Sequence, residues 1–304
     1  MAFTSIRPRE AWNWGGLSFR ELAVRAYKAM DQHATLNQAA VVAFYAMLSL
    51  VPLLSLVLVF ALGARSGVAE QVDTLCNRLM PTEAYDLVKD QLTKMRNSSP
   101  IGLLSLSIPI LLWSASSLFV AVMDTTNVAY GVRDKRPWWK KRLLAIVLTL
   151  AETVLLIGAC LTIAIWPRVM DWFGLSTLAM TLATMVQWLV VVIALLAGFA
   201  LAYFFGPNVE QEWEWITPGS TLGVLALIVA SLGFQLYLRF GNTYSETYGA
   251  LAGVVLMMLW LYLAALALLV GAEVNCAIEH AAPHGKSPGQ KESPPIENAM
   301  PPCK

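Results

Sequence analysis

A chain of 304 residues that is 57% hydrophobic and only 13% charged lies outside the balance of a soluble domain and has the composition of a membrane protein. Its net charge of +1 conceals an uneven distribution of basic residues along the chain. The cysteines, Cys76, Cys160, Cys276 and Cys303, are scattered and form no CxxC pair, and neither a zinc site nor a disulfide framework is expected.

The first 36 residues are polar, mixed in charge and lack the short apolar core of a cleavable signal. They are expected to form a cytoplasmic segment. Within it Leu17, Leu22, Ala26 and Met30 recur at helical spacing among Arg20, Arg25 and Lys28. That pattern predicts an amphipathic helix, lying either on the membrane surface or packed on the rest of the protein. The first span is expected at 39–62, with Pro52 in its interior. Residues 63–100 keep a helical period in two short runs broken at Met80-Pro81. The second span, 101–123, contains Pro109 and ends where Asp124, Thr125, Thr126 and Asn127 interrupt the apolar run.

The next stretch, NVAYGVRDKRPWWKKRLLAIVLTLAE from Asn127 to Glu152, passes from a basic, aromatic loop directly into the third span, 143–166, which Pro167 is expected to stop. A fourth span follows at 178–205, a fifth at 218–238 opening on Pro218, and a sixth at 248–272. The transmembrane region is thus 37–275. The tail, 276–304, becomes rich in Pro, Ser, Lys and Glu and is expected to be disordered. The fold class is all-α: a polytopic membrane protein with six transmembrane helices, an N-terminal amphipathic helix and short helices in the first extracytoplasmic loop.

Six spans place both termini on one side of the membrane. That side carries fourteen basic residues against seven on the other, so it is assigned to the cytoplasm. The loop at EQEWEW, 210–215, has no basic residue although it falls on the cytoplasmic side, but acids weigh little in this rule.

Glu152 lies ten residues beyond Arg142, roughly 15 Å deeper at helical rise and close to the midplane of a hydrocarbon core. A carboxylate at that depth costs about 2.5–3.5 kcal/mol and usually faces a bundle interior or a cavity. It therefore leads the candidates for a working intramembrane site, with a purely structural hydrogen bond as the alternative. Gln187 is expected to be its partner across the third and fourth spans, which a short link makes antiparallel neighbours. Arg133, Lys135, Arg136, Lys140, Lys141 and Arg142, with Trp138 and Trp139 among them, suit either a topology signal or a site for anionic lipid headgroups. The pairs Gly219/Gly223, Ala226/Ala230, Gly249/Gly253 and Ala267/Gly271 are spaced for close helix packing. His33, His280 and His284 have no ligand spacing, and no phosphate-binding glycine loop or nucleophile elbow occurs. No enzymatic activity, cofactor, metal or nucleic-acid partner is expected; membrane lipids are the expected partners, and a homo-oligomer is compatible with the chain.

Four stretches resemble the YihY/BrkB family of bacterial inner-membrane proteins: AFYAMLSLVPLLSLV (43–57), NVAYGVRDKRPWWKKRLLA (127–145), WEWITPGSTLGVLALIVASLGFQLYLRF (213–240) and YSETYGALAGVVLMMLWLYLAALALLVGAEVN (244–275). The resemblance implies six spans with cytoplasmic termini and an association with envelope integrity and virulence. It brings an old ribonuclease BN label for which this sequence has no nuclease core. The recurring polar positions of the family include Asn127, Gly131, Arg136, Pro218, Glu273 and Asn275. Two readings of function follow: a transporter or lipid-handling protein with a polar intramembrane cavity, or a structural envelope scaffold.

Overall fold

A computed structural model describes residues 12–63, 109–173, 177–209, 216–240 and 250–281. The described residues are helical apart from turns and short links, and contain no strand. After a 3-10 turn at Trp14–Gly16, the helices are α1 Phe19–Gln32, α2 Thr35–Gly63, α3 Ser117–Ala129, α4 Trp138–Phe173, α5 Thr177–Phe205, α6 Pro218–Phe240 and α7 Ala250–Ala281. A helical stretch over 109–115 leads into α3 through a turn at Ser116. Five helical segments are long and apolar enough to cross a membrane: Pro109–Ala129, Trp138–Ile163, Ala179–Phe205, Pro218–Arg239 and Gly253–Ala281. The first expected span, 39–62, falls on α2, a 29-residue helix that runs through Pro52 and whose apolar stretch among the described residues, Thr35–Leu50, is shorter than the other five. The chain is an all-α, multi-pass membrane protein. The expected helices of 63–100 and the EQEWEW acids lie outside the described residues, as does the tail beyond Ala281.

α1 begins at a reciprocal cap. The Ser18 hydroxyl accepts from the Glu21 backbone N–H, and Glu21 accepts from the Ser18 N–H at 2.9 Å. The Ser18 backbone and hydroxyl bonds hold the Glu21 carboxyl below its usual range. Leu22 and Ala26 are buried against Val274 and Ile278 of α7. Of the two placements open to this helix, the chain takes packing on the bundle. Phe19 and Tyr27 stay exposed on its outer side.

Several helix ends depart from the hydropathy reading. α3 continues to Ala129, six residues past the expected end of the second span. Thr125 and Thr126 return their hydroxyls to carbonyls three and four residues back, so they need no outside partner and do not end the helix. The helix stops instead at Gly131, whose φ of +61° suits glycine, with Val132 N–H bonded to Asn127 C=O and Gly131 N–H to Val128 C=O. α4 starts at Trp138 rather than residue 143 and runs through Pro167 to Phe173. Proline removes one backbone donor and need not end a helix embedded among others. α7 extends through Ala281, and Cys276 and Ile278 are buried. Residues 276–281 are therefore part of the packed bundle and not of a disordered tail.

α7 is the central helix, packed against α6, α2, α1 and α3, while α5 bridges α4 and α6. The approach of α5, α6 and α7 depends on missing side chains. A Cβ on Gly271 would lie 2.2 Å from the Tyr203 hydroxyl and 2.4 Å from the Gly219 carbonyl oxygen, and one on Gly219 would lie 2.2 Å from the Gly271 carbonyl oxygen. Tyr203 uses the resulting space to donate to the Leu268 C=O at 2.7 Å. Gly219, Gly223 and Gly271 thus act in close packing as their spacing suggests. On the outer faces Val147 and Val154 of α4, Leu182, Met185 and Trp188 of α5, and Leu225, Val229 and Leu232 of α6 are exposed, as lipid-facing positions require. Gly271→Ala should lower the stability of the detergent-solubilised protein by about 1–3 kcal/mol through overpacking against backbone that cannot yield. Thermal unfolding followed by circular dichroism measures this, with the exposed Gly158→Ala as the neutral control.

Candidate functional site

One end of the bundle gathers the polar residues of six helices. At the start of α2, buried Glu273 of α7 accepts from Thr35 Oγ1 at 3.0 Å and meets His33 Nδ1 at 2.9 and 3.1 Å through its two oxygens. Two residues on, Asn275 accepts from the Gly219 N–H at 2.8 Å and donates to Thr217 Oγ1 at 2.9 Å. Thr217 caps α6: its hydroxyl accepts from the Ser220 N–H while Ser220 Oγ accepts from the Thr217 N–H, each at 3.0 Å. Pro218 occupies the first helical position, where its missing N–H costs nothing.

Beside this, the loop after α3 folds back on the ends of two helices. Asp134 accepts two bonds from the Arg136 guanidinium, at 2.9 and 3.1 Å, one from the Arg136 backbone N–H at 3.0 Å, and one from Asn127 Nδ2 at 3.3 Å. Arg136 then donates to the C=O groups of Phe205 and Gly206 at 3.0 and 2.8 Å, closing the C-terminus of α5. Asn127 Oδ1 accepts from the Asn208 N–H at 2.7 Å. Lys141 reaches both Asp124 and Asp134. Burial tends to raise the Asp134 carboxyl, but the Arg136 bonds and charge, with Lys141, prevail and hold it below its ordinary 3.8.

These contacts divide the six basic residues expected at lipid headgroups. Arg136 and Lys141 serve the protein's own carboxylates and carbonyls. Arg142 lies 4.0 Å over the Trp113 ring, bonds the Trp113 C=O, and reaches Ser117 Oγ at 3.2 Å. Arg133, Lys135 and Lys140 stay on the exposed face with Trp138 and Trp139, the Lys140 ammonium 5.3 Å from the Trp139 ring. Arg136, Lys141 and Arg142 are thus partly buried with partners inside the chain, and Arg133, Lys135 and Lys140 are exposed.

Glu152 sits mid-way along the apolar stretch of α4, on the face that turns Ala145, Leu148 and Thr149 inward. Its carboxylate lies against Gly198 of α5, where a Cβ would come within 2.8 Å of Oε2. Oε1 is buried and has no hydrogen-bond partner among the described residues. Nearby Thr149 and Thr153 donate to carbonyls of their own helix, at 2.8 and 2.6 Å. The expected pair with Gln187 does not form. Gln187 precedes Gly198 by eleven residues of α5, about 16 Å at helical rise. Glu273 stands among the positions that the family resemblance marks and His33 among the histidines, but their pairing has no signal in the sequence, since 240 residues separate them.

With this geometry in place, comparison with known proteins settles the kinship. The family model described as Virulence factor BrkB matches residues 26–297. The chain belongs to the BrkB family. It is 28% identical over 251 residues to the ribonuclease-like protein YfkH of Bacillus subtilis, covering 81% of this chain and 90% of that one. It is 28% identical to a UPF0761 membrane protein of Paraburkholderia xenovorans, over 86% of this chain and 60% of the relative. Identity is 31% to a UPF0761 membrane protein of Tolumonas auensis, over 60% of this chain and 58% of that one. The chain therefore spans about three-fifths of these two relatives, which are longer. No solved structure matches. Of the polar positions that the family resemblance marks, Asn127, Gly131, Arg136, Pro218, Glu273 and Asn275 fall at the polar end, Tyr45 and Pro52 lie within α2, and Tyr244, Ser245, Tyr248 and Gly249 lie outside the described residues.

The sign of the Asp134 shift sets a pH dependence. A carboxyl held low when folded stabilises the fold above its ordinary 3.8 and loses that contribution as pH falls through the lower folded value. Asp134→Asn should cost on the order of 1–3 kcal/mol at neutral pH, where the charge-assisted bonds to Arg136 are lost. The difference between variant and parent should vanish below that range, measured by thermal unfolding in detergent across pH.

Proposed function

We propose that this BrkB-family membrane protein is a non-enzymatic transporter or lipid-handling protein that works through a polar site inside its helix bundle and supports envelope integrity. The observation that carries the reading is Glu152: a carboxylate half-way along an apolar helix, one oxygen buried and unpartnered among the described residues. A buried polar group without a bond costs free energy that packing alone would not retain. The bonded polar end argues the other way for itself. Its acids and bases satisfy one another and close helix termini, which suits a rigid platform better than a reaction centre. The ribonuclease-like name of YfkH is not carried to this chain for that reason. A scaffold function would leave Glu152 without a purpose.

The reading includes an orientation. The polar end carries the basic loop and faces the cytoplasm of a bacterial inner membrane, by the excess of Lys and Arg there. The exposed remainder, Arg133, Lys135 and Lys140 with Trp138 and Trp139, lies at that interface for anionic headgroups. With the native Cys76, Cys160, Cys276 and Cys303 replaced by serine, a Lys135→Cys variant should resist an impermeant thiol reagent in intact cells, while Asp90→Cys should react. The reverse pattern would invert the topology.

The site itself is tested by Glu152→Gln, which keeps shape and hydrogen bonding and removes the titratable group. The variant should insert and elute as the parent does, yet fail to restore growth of a deletion strain under envelope stress. Full restoration would reduce Glu152 to a packing residue and remove the transport reading.

A further inference from the structure

Three polar atoms of one helix are buried without a hydrogen-bond partner among the described residues: Arg142 Nε, Glu152 Oε1 and Trp166 Nε1. All belong to α4. At 3.6 residues per turn, Trp166 projects within about 40° of Glu152, and Arg142 within about 80°. Glu152 and Trp166 thus share one side of the helix at two depths, with Arg142 turned about 120° from Trp166.

The facing helix continues the pattern. Gln187 and Gly198 are eleven residues apart on α5, close to three full turns, so they share the face that meets α4. Gln187 is 9% exposed, while its neighbours Met185, Val186, Trp188 and Leu189 are all exposed. Because Gly198 lies level with Glu152 and the helices run antiparallel, Gln187 falls within about one turn of Trp166. A polar seam therefore runs along the α4–α5 contact, with Glu152 midway and Trp166 and Gln187 beyond it, while Arg142 turns to Trp113 and Ser117.

We propose that Glu152 is a proton-binding site, its carboxylate taking up one proton to become the neutral acid and returning it along this seam, so that protons are the coupling ion of the protein. The proposal rests on the functional reading given above and names the ion that the site would use. A proton needs one carboxylate and no coordination shell, whereas calcium takes six to eight oxygen ligands and magnesium a near-ideal octahedron. Among the described residues the surroundings of Glu152 offer one carboxylate, a glycine and the hydroxyls of Thr149 and Thr153, which are committed to their own helix. α5 presents no charged residue between Thr177 and Phe205, and its Tyr203 hydroxyl is committed to Leu268. α3 brings Asp124, which is paired with Lys141, and α2 brings only Tyr45 among titratable residues. On α4 itself the nearest described charge is Arg142, about 15 Å away and turned to Trp113 and Ser117. No fixed counter-charge therefore holds the carboxylate ionised, and a change of protonation is the inexpensive response.

The test uses the full chain in sealed vesicles of phosphatidylethanolamine and phosphatidylglycerol, treated with dicyclohexylcarbodiimide, which attacks protonated carboxyl groups in apolar surroundings. Peptide mass spectrometry should place the adduct on Glu152, with a yield that falls roughly tenfold per pH unit above the titration midpoint. Infrared difference spectra over the same pH range should show a protonated-carboxyl band that is missing in Glu152→Gln. A band and adduct that do not respond to pH, or the same band surviving in Glu152→Gln, would overturn the proton site. If that happens while Glu152→Gln still fails to restore growth, only the proton step is lost and the intramembrane site stands. If Glu152→Gln restores growth, the site and the proton step fall together.

Discussion

The Arg136–Asp134 bond is the contact on which the polar end depends. In an apolar surrounding the last carbonyls of a helix have no water to turn to, and each unsatisfied one costs several kcal/mol. Arg136 supplies two of those bonds to α5 while Asp134 holds its guanidinium in place. The same carboxylate reaches Asn127 at the end of α3 and Lys141 at the start of α4. Three helix ends are thus tied to one ion pair carried by a loop of a few residues. Asn275 and Thr217 do the equivalent work between α6 and α7, and Glu273 with His33 and Thr35 between α7 and the α1–α2 elbow. A charge removed from any of these leaves a buried partner behind, which is the costly way to break such a pair.

That end and the α4–α5 seam are opposites in their bonding. Acids, amides and hydroxyls at the end find one another within the chain. Along the seam, buried polar atoms face glycine and apolar neighbours. The contrast fits a division of labour in which the bonded end fixes the helices relative to each other and the seam is left free to change. The glycine contacts of Gly219 and Gly271 reinforce the first part, since backbone packed on backbone leaves little room for α6 and α7 to slide.

Hydropathy made the helical class and most of the spans legible, because twenty or so apolar residues permit little else in a membrane. The ends were harder. Asp124, Thr125, Thr126 and Asn127 read as the close of a span, yet the two threonines satisfy themselves on their own helix and Asn127 ties α3 to its neighbours. Gly131 was the better signal, since the αL position it occupies ends the helix outright. Pro167 misled in the same direction, and the consequence reached the site. With α4 continued to Phe173, Glu152 lies twenty-one residues from its far end, whereas Gln187 lies ten from the near end of α5. The two helices therefore meet at Glu152 and Gly198, a register that no count of hydrophobic residues reveals. The pairing of Glu273 with His33 was invisible for a simpler reason: it is made by folding, across almost the whole chain.

The basic loop shows why a charge cluster underdetermines its role. Six cations next to a span would suit an anionic leaflet at about 1 kcal/mol each, provided that all six face it. Folding divides them instead, because a buried Asp and the open end of α5 compete for the same guanidinium and ammonium groups and offer fixed geometry in return. Arg136 suits that task because its planar fork matches the Asp134 carboxylate while its remaining donors reach two carbonyls; a lysine has no such fork. What remains outside, Arg133, Lys135 and Lys140 beside two exposed tryptophans, is a smaller surface anchored to a rigid base. Internal partners thus take up part of the cluster, and the membrane meets only the exposed part.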